Sequence, residues 1–114
     1  MNQSIIQLTC IAALAAGTLL ALAPAGAADL KAGQLAFDAN SCGSCHELNA
    51  NTIGPSLKDI ARRYKGKPAE TELAARIRAG SAGRWGNVPH PAYEALAQAD
   101  ALIIAKWILG GAPR

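Results

Sequence analysis

Apolar residues recur at helical spacing along most of the chain beyond residue 27, and no segment there shows the strict alternation of a half-buried strand. Leu30, Gly33 and Phe37, for example, share one face of a helix. The pattern predicts four helices, over residues 29–40, 57–64, 69–79 and 96–109. Asp29 is the expected N-cap of the first, and Gly80 follows the third, as glycine often does past a helix end. The sequence therefore predicts an all-α domain.

Two segments between these helices are predicted to be loops, residues 47–55 and residues 81–93. The second is rich in glycine and proline, and it carries Trp85 and His90. Because Pro89 and Pro91 flank the histidine, this loop has little helical tendency but a stiff backbone.

The first 27 residues are predicted to be a secretory signal peptide, cleaved after Ala27. An apolar run over residues 11–22 leads to the small residues Ala25-Gly26-Ala27, which fit a cleavage site. Residues 1–9 contain no Lys or Arg, which departs from the usual signal and leaves a membrane anchor as the alternative. The run is short for a spanning helix, and Cys10 precedes it, so lipid attachment is not indicated. The expected mature protein is one periplasmic domain, residues 28–114.

The net charge is +3, from 11 Lys and Arg against 8 Asp and Glu, and no long basic run indicates nucleic-acid binding. Five basic residues lie on or just after the second predicted helix: Lys58, Arg62, Arg63, Lys65 and Lys67. This basic cluster is either a solvated face or a docking patch for an acidic partner. In the second case its charge would mainly raise the rate of encounter.

The segment Cys42-Gly43-Ser44-Cys45-His46 is a C-x-x-C-H motif, the attachment site of c-type haem. Each thiol forms a thioether with one haem vinyl group, and the histidine that follows ligates the iron. Two other interpretations are a dithiol redox pair, whose usual βαβ context is missing, and a zinc site completed by His90, whose spacing is poor. A covalently held haem would also give this small domain the large apolar centre that its few aromatic residues do not provide.

The order of these features resembles class I c-type cytochromes, in particular the short bacterial cytochrome c-551 type. The resemblance covers nearly all of residues 28–109. It is carried by a helix before C-x-x-C-H, by Gly54-Pro55 and a short helix, by the run from Arg76 to Ser81 and by a C-terminal helix. It implies a small cytochrome c fold, with about four helices around one covalently attached haem.

The resemblance also implies roles for individual residues. Cys42 and Cys45 would bind the haem covalently, and His46 would be the proximal iron ligand. The carbonyl of Pro55 would accept a hydrogen bond from the second ring nitrogen of His46, which fixes the tautomer. Further residues expected from the resemblance or the apolar pattern are Arg76 and Trp85 at a haem propionate, Phe37 and Trp107 where the first and last helices cross, and Val88 in the core.

The distal ligand departs from the family pattern. The family's loop reads Trp-Gly-x-x-Pro-Met-Pro, and in this chain His90 stands where the methionine belongs. The chain's one methionine is Met1, and its one other histidine is His46. We therefore expect His90 to ligate the iron; the alternatives are a five-coordinate or water-bound iron and another donor such as lysine. Because methionine ligation raises the potential of a haem, histidine in its place predicts a lowered one.

These features predict a periplasmic one-electron carrier and not an enzyme. It would exchange electrons with periplasmic redox proteins, without nucleic acid, small-molecule substrate or, after signal cleavage, a membrane. The alternative is a haem sensor or a catalytic haem subunit of a larger complex. That alternative requires His90 to be absent from the iron or to leave it easily.

Overall fold

The computed structural model describes residues 25–114 and Gly17, so most of the predicted signal peptide lies outside the described residues. Within that range the chain forms four α-helices: α1 (Ala25–Ala39), α2 (Leu57–Arg63), α3 (Glu70–Ala79) and α4 (Gln98–Leu109). A short 3₁₀ helix over Cys42–Ser44 follows α1, and residues 25–114 contain no β-strand. The prediction of an all-α small cytochrome c fold is confirmed.

Two helix boundaries differ from those expected. α1 begins at Ala25, so Asp29 lies inside the helix and does not cap it; the alanine-rich residues before it favour a longer helix. α4 begins at Gln98 and not at Leu96, because Leu96 closes a turn onto the Tyr93 carbonyl and Ala97 is extended, at φ −58° and ψ 143°. The other two helices begin and end within one residue of expectation.

The crossing of α1 and α4 forms the centre of the core. A β-carbon at Gly33 would collide with the Ile103 carbonyl and the Trp107 side chain, so only glycine permits this approach. The rings of Phe37 and Trp107 meet at the crossing, with centroids 4.9 Å apart and planes tilted by 52°. Both are almost fully buried, and the prediction that they meet is confirmed. The indole nitrogen of Trp107 donates to the Pro113 carbonyl, 3.0 Å away.

Helices α2 and α3 also pack against α4, through Leu57 and Ile60 on α2, Leu73 on α3 and Ile104 on α4. One side of this arrangement stays open as a cleft. Val88, expected in the core, is 59% exposed instead. Among the described residues, none of the helices has the length and apolarity that crossing a membrane requires.

Candidate haem site

The cleft has a largely apolar lining contributed by all four α-helices and both long loops. It is open to solvent on one side, as a cleft that takes up a cofactor from outside would be. The structure brings all seven site residues expected from the sequence to this one cleft: Cys42, Cys45, His46, Pro55, Arg76, Trp85 and His90.

The C-x-x-C-H segment folds tightly at one edge of the cleft. Ser41 takes a left-handed conformation, and the Cys42 carbonyl accepts hydrogen bonds from the amides of Cys45 and His46, at 3.2 and 3.1 Å. Both thiols are free and partly buried. Burial, more than the nearby Asp38 and Cys45, raises the pKa of the Cys42 thiol, against the opposing effect of a backbone hydrogen bond. The two sulfurs are thus available along one wall for thioether formation.

His46 is oriented by the loop that follows it. Its Nδ1 lies 2.7 Å from the Pro55 carbonyl oxygen, so Nδ1 donates there and the opposite nitrogen, Nε2, is left for a metal. A β-carbon at Gly54 would stand 2.6 Å from Cε1 of this ring, so glycine is required beside it. Hydrogen bonds from the Gly54 amide and the Thr52 hydroxyl to the Cys45 carbonyl, both 2.8 Å, tie this loop to the motif.

Helix α2 begins where that loop ends, and Ser56 joins the two. Its hydroxyl accepts from the Asp59 amide, 3.0 Å away, as an N-cap does. Its own amide donates to the Asn51 side chain at 2.7 Å. The buried serine therefore fixes the backbone next to Pro55, and with it the acceptor for His46.

His90 is held in the cleft by the end of α3. Its amide and carbonyl exchange two hydrogen bonds with Ser81, at 2.7 and 3.1 Å. Gly80, with φ at +77°, lets the strand-like segment 90–92 lie directly against it. Three residues after His90, the Tyr93 amide donates to the Arg78 carbonyl of α3 at 2.9 Å. The proline-flanked loop is thus pinned at the residue that faces the cleft.

The rings of His46 and His90 lie with their centroids 6.2 Å apart and their planes tilted by 34°. A metal–imidazole bond is about 2 Å long, and the ring centroid lies about 1 Å beyond the bonding nitrogen, so two imidazoles across one ion have centroids roughly 6 Å apart. The observed spacing fits an iron between the two rings, and the apolar cleft fits the plane of a haem.

The two histidines differ in what holds their second nitrogen. While Nδ1 of His46 has the Pro55 carbonyl, Nδ1 of His90 is buried and finds no hydrogen-bond partner among the described residues. Burial, followed by the nearby His46, lowers the pKa of His90. The Pro91 carbonyl partly opposes that shift without reaching hydrogen-bond geometry. His90 is therefore favoured in the neutral form that binds metals.

Arg76 and Trp85 line the cleft within a group of polar residues. Arg76 donates from Nε and Nη2 to Glu72 Oε1, at 3.0 and 2.9 Å. Trp85 is 38% exposed, and the Arg63 guanidinium lies over its ring, 4.4 Å from the centroid. Sequence reasoning missed Arg84, which also lines the cleft. The one signal for Arg84 in the sequence was its position next to Trp85, in the loop that carries His90.

A zinc site would need its ligands gathered around one point. Among the described residues there is no group of three or more His, Cys, Asp and Glu side chains placed to hold a metal ion. The arrangement seen instead is two thiols and a histidine on one segment, as haem c attachment requires. A second histidine, His90, lies opposite.

A family model described as "Cytochrome c" matches residues 30–111, and the chain belongs to the cytochrome c family. It is 45% identical over 71 residues to cytochrome c-552 of Nitrosomonas europaea, covering 61% of this chain and 69% of that protein. It is 41% identical over 97 residues to cytochrome c-551 of Pseudomonas aeruginosa, covering 84% and 88%. The crystal structure of wild-type Nitrosomonas europaea cytochrome c552 superposes with a TM-score of 0.64 at 40% identity, over 67% of this chain and 95% of that one.

The chain is thus a small class I cytochrome of the c-551/c-552 type. Proteins of this family carry one covalently attached haem c and transfer electrons to and from redox proteins, without being enzymes. The predictions of haem c and of a non-enzymatic electron carrier are confirmed. The assignments of the individual site residues, with the distal ligand first among them, stay predictions.

Proposed function

We propose that this chain is a periplasmic one-electron carrier whose haem iron lies between His46 and His90, at a potential lower than a methionine ligand would give. The observation that carries this proposal is the 6.2 Å spacing of the two imidazole rings across one apolar cleft. When bound, the haem supplies one iron that cycles between the ferric and ferrous states.

The residues around the cleft would keep both ligands in place through that cycle. His46 is held by the Pro55 carbonyl, and a histidine that donates its second N–H is a better electron donor to the metal. His90 is held through its backbone by Ser81. An iron with a protein nitrogen on each side has no open position for a substrate. Such a site transfers electrons and little else.

The lowered potential follows from the nature of the distal donor. A thioether favours ferrous iron, and histidine with methionine gives cytochromes c a raised potential. An imidazole is a stronger donor and stabilises ferric iron more than the thioether does. The neutral state of His90, which burial favours, is the one in which it can bind.

The periplasmic location is supported by the N-terminal sequence up to Ala27. An apolar run ending in Ala25-Gly26-Ala27 suits export and cleavage, which would leave a domain of residues 28–114. Both cysteines of that domain belong to the haem motif. The domain's redox chemistry therefore rests on the haem and not on a disulfide.

The proposed partners are periplasmic redox proteins that approach the open side of the cleft. Ile53, Val88 and Trp85 are exposed where they line the cleft. All five residues of the basic cluster on and after α2 are exposed as well. An acidic partner would be attracted by that charge and would then contact the apolar rim.

Low-temperature EPR of the ferric protein tests the ligand pair, with His90→Ala and Tyr93→Leu beside the wild type. Tyr93 is the matched control because its ring lies 6.0 Å from that of His90 and carries no nitrogen donor. We expect a low-spin bis-imidazole signal in the wild type and in Tyr93→Leu, and its loss in His90→Ala. A high-spin wild type that His90→Ala leaves unchanged would contradict the proposal.

A second function, a haem sensor, is favoured by one observation. Nδ1 of His90 has no acceptor within residues 25–114, so this ligand would bind iron less strongly than His46 and would be the one that a small ligand displaces. Rapid binding of carbon monoxide to the ferrous wild type, as fast as to His90→Ala, would support the sensor. Binding to His90→Ala alone would support the carrier.

A further inference from the structure

Arg84 is the polar residue of the cleft that the expected haem contacts leave unexplained. It lines the cleft next to Trp85, and about a third of its side chain is exposed. Its Nε is nevertheless shielded from solvent and finds no acceptor among the described residues. A buried donor without a partner is rare in a folded protein and calls for an explanation.

The contacts that the guanidinium of Arg84 makes are long. Its Nη2 lies 3.4 Å from the Tyr64 hydroxyl and 3.7 Å from Glu72 Oε1. Arg76, by contrast, bonds the same Glu72 oxygen from two nitrogens at 3.0 Å or less. Glu72 Oε1 is therefore already bonded by Arg76, and the guanidinium of Arg84 shares this carboxylate only at the longer distance of 3.7 Å.

The local charge also calls for an anion. Arg63, Arg76 and Arg84 meet here with one carboxylate, Glu72, since Arg63 lies over Trp85 and donates to the Arg84 carbonyl. A guanidinium presents its N–H groups as a fork that fits the two oxygens of a carboxylate. A haem seated in this cleft carries two carboxylates, its propionates.

We propose that Arg84 binds a haem propionate, as a second arginine beside Arg76. The Nε–H, unpartnered in the described part of the chain, and one Nη–H would donate to the two propionate oxygens. Tyr64 and Glu72 would hold the guanidinium from behind. This inference rests on the presence of haem c and not on the identity of the distal ligand.

An arginine on a propionate has a measurable consequence. Its charge favours the ionised carboxylate and lowers the propionate pKa. Ferric iron, with its higher charge, lowers the propionate pKa more than ferrous iron does. The ionised propionate therefore stabilises the ferric state, and the reduction potential falls as pH rises through that pKa. The charged groups that face this site are Arg63, Arg76 and Glu72, with the Tyr64 hydroxyl, and these stay constant when Arg84 alone is replaced.

The test is a potentiometric titration of the haem-loaded protein as a function of pH, for wild type, Arg84→Gln, Arg84→Lys and Arg62→Gln. Arg62→Gln is the matched control, because it also removes one positive charge, but from an exposed side chain that pairs with Asp59. In Arg84→Gln we expect the pH range over which the reduction potential falls to move upward by about one pH unit, because the propionate pKa rises. Arg84→Lys should move it less, since the charge remains and the fork is lost, and Arg62→Gln should leave it in place.

Arg84→Gln and Arg62→Gln giving the same pH profile would overturn the proposal. A crystal structure of the haem-loaded wild type provides a second, independent measurement should Arg84→Gln not retain haem. Arg84 within hydrogen-bond distance of a propionate oxygen supports the proposal, and Arg84 turned to solvent or to Glu72 alone overturns it. EPR of the same samples reports the axial ligands separately, so failure of the His90 assignment is distinguishable from failure of this one.

Discussion

The α-carbon of Gly80 lies so close to the backbone of His90 that a β-carbon at position 80 would stand 2.8 Å from the His90 carbonyl oxygen. It would also lie 3.1 Å from the Ala92 amide nitrogen. The residue that follows α3 therefore sets how close the distal loop can come, although it does not itself line the cleft. The amide and carbonyl of Ser81, next in the chain, then bond those of His90.

Gly80→Ala is expected to displace the proposed distal ligand. The change places a β-carbon against backbone atoms that cannot give way cheaply. It also imposes on alanine a backbone conformation, φ 77° and ψ 173°, that is almost restricted to glycine and alone costs about 1–3 kcal/mol. We expect stability to fall by more than that amount and the bis-imidazole EPR signal to weaken. Thermal unfolding and EPR of the ferric protein measure the two effects.

Gly83→Ala separates the backbone strain of Gly80→Ala from the collision. Gly83 has φ at +72°, close to that of Gly80, but its β-carbon would meet no atom within 4 Å. Gly83→Ala should thus lose about 1–3 kcal/mol from the strain of a positive φ and keep its EPR signal. Equal effects of the two variants on the signal would show that Gly80 does not position His90.

Gly54→Ala is expected to disturb the proximal side. A β-carbon there would stand 2.6 Å from Cε1 and 2.9 Å from Nδ1 of His46, so the ring must turn and the hydrogen bond to Pro55 must lengthen. We expect a lower yield of haem-loaded protein and a lower proportion of low-spin iron, read from absorption spectra. Gly43→Ala is the control, because its β-carbon would make an ordinary 3.7 Å contact with Phe37. Gly54→Ala with the yield and spectrum of Gly43→Ala would contradict the role given to Gly54.

His90→Met is expected to raise the reduction potential. The variant exchanges an imidazole for a thioether, which favours ferrous iron, and Pro89 and Pro91 still flank the position. A potentiometric titration should place the variant above the wild type and bring a methionine-ligated EPR signature. Tyr93→Leu, beside the same ring, should leave the potential near the wild-type value. A potential for His90→Met at or below the wild type would refute the link between His90 and a low potential.

Sequence reasoning reached those parts of the fold that depend on local pattern. The helices over Leu57–Arg63 and Glu70–Ala79 follow from apolar spacing and from the Gly and Pro residues around them. The predicted start of α4 was wrong, because the turn at Leu96 is formed by a hydrogen bond to the Tyr93 carbonyl, which the spacing of apolar residues does not indicate. The prediction that Val88 lies in the core was wrong, because an apolar residue that lines a cleft looks the same in sequence as one in the core.

Those residues of the candidate site could be predicted from the sequence whose spacing is dictated by the chemistry of haem attachment. Cys42, Cys45 and His46 form one short motif, and His90 is the other histidine of the chain. Other residues of the cleft were accessible only through resemblance, as with Pro55, or not at all, as with Arg84. An arginine in a loop looks the same in sequence whether its N–H groups face water or a buried carboxylate. Only the folded structure shows that Nε of Arg84 is shielded from solvent.

Electron transfer to an acidic redox partner is expected to slow as salt is added. The basic cluster on and after α2 is exposed, and its long-range attraction is screened beyond about 10 Å at 0.1 M ionic strength. Charge reversal in this cluster, as in Lys65→Glu, should lower the rate of electron transfer at low salt by a factor of several and flatten its salt dependence. Lys31→Glu makes the same change of net charge on the exposed side of α1 and should alter the rate far less. Stopped-flow oxidation of the reduced protein by the partner, across a range of salt concentrations, measures both. Equal slowing by the two variants would mean that the protein's total charge, and not this cluster, sets the encounter.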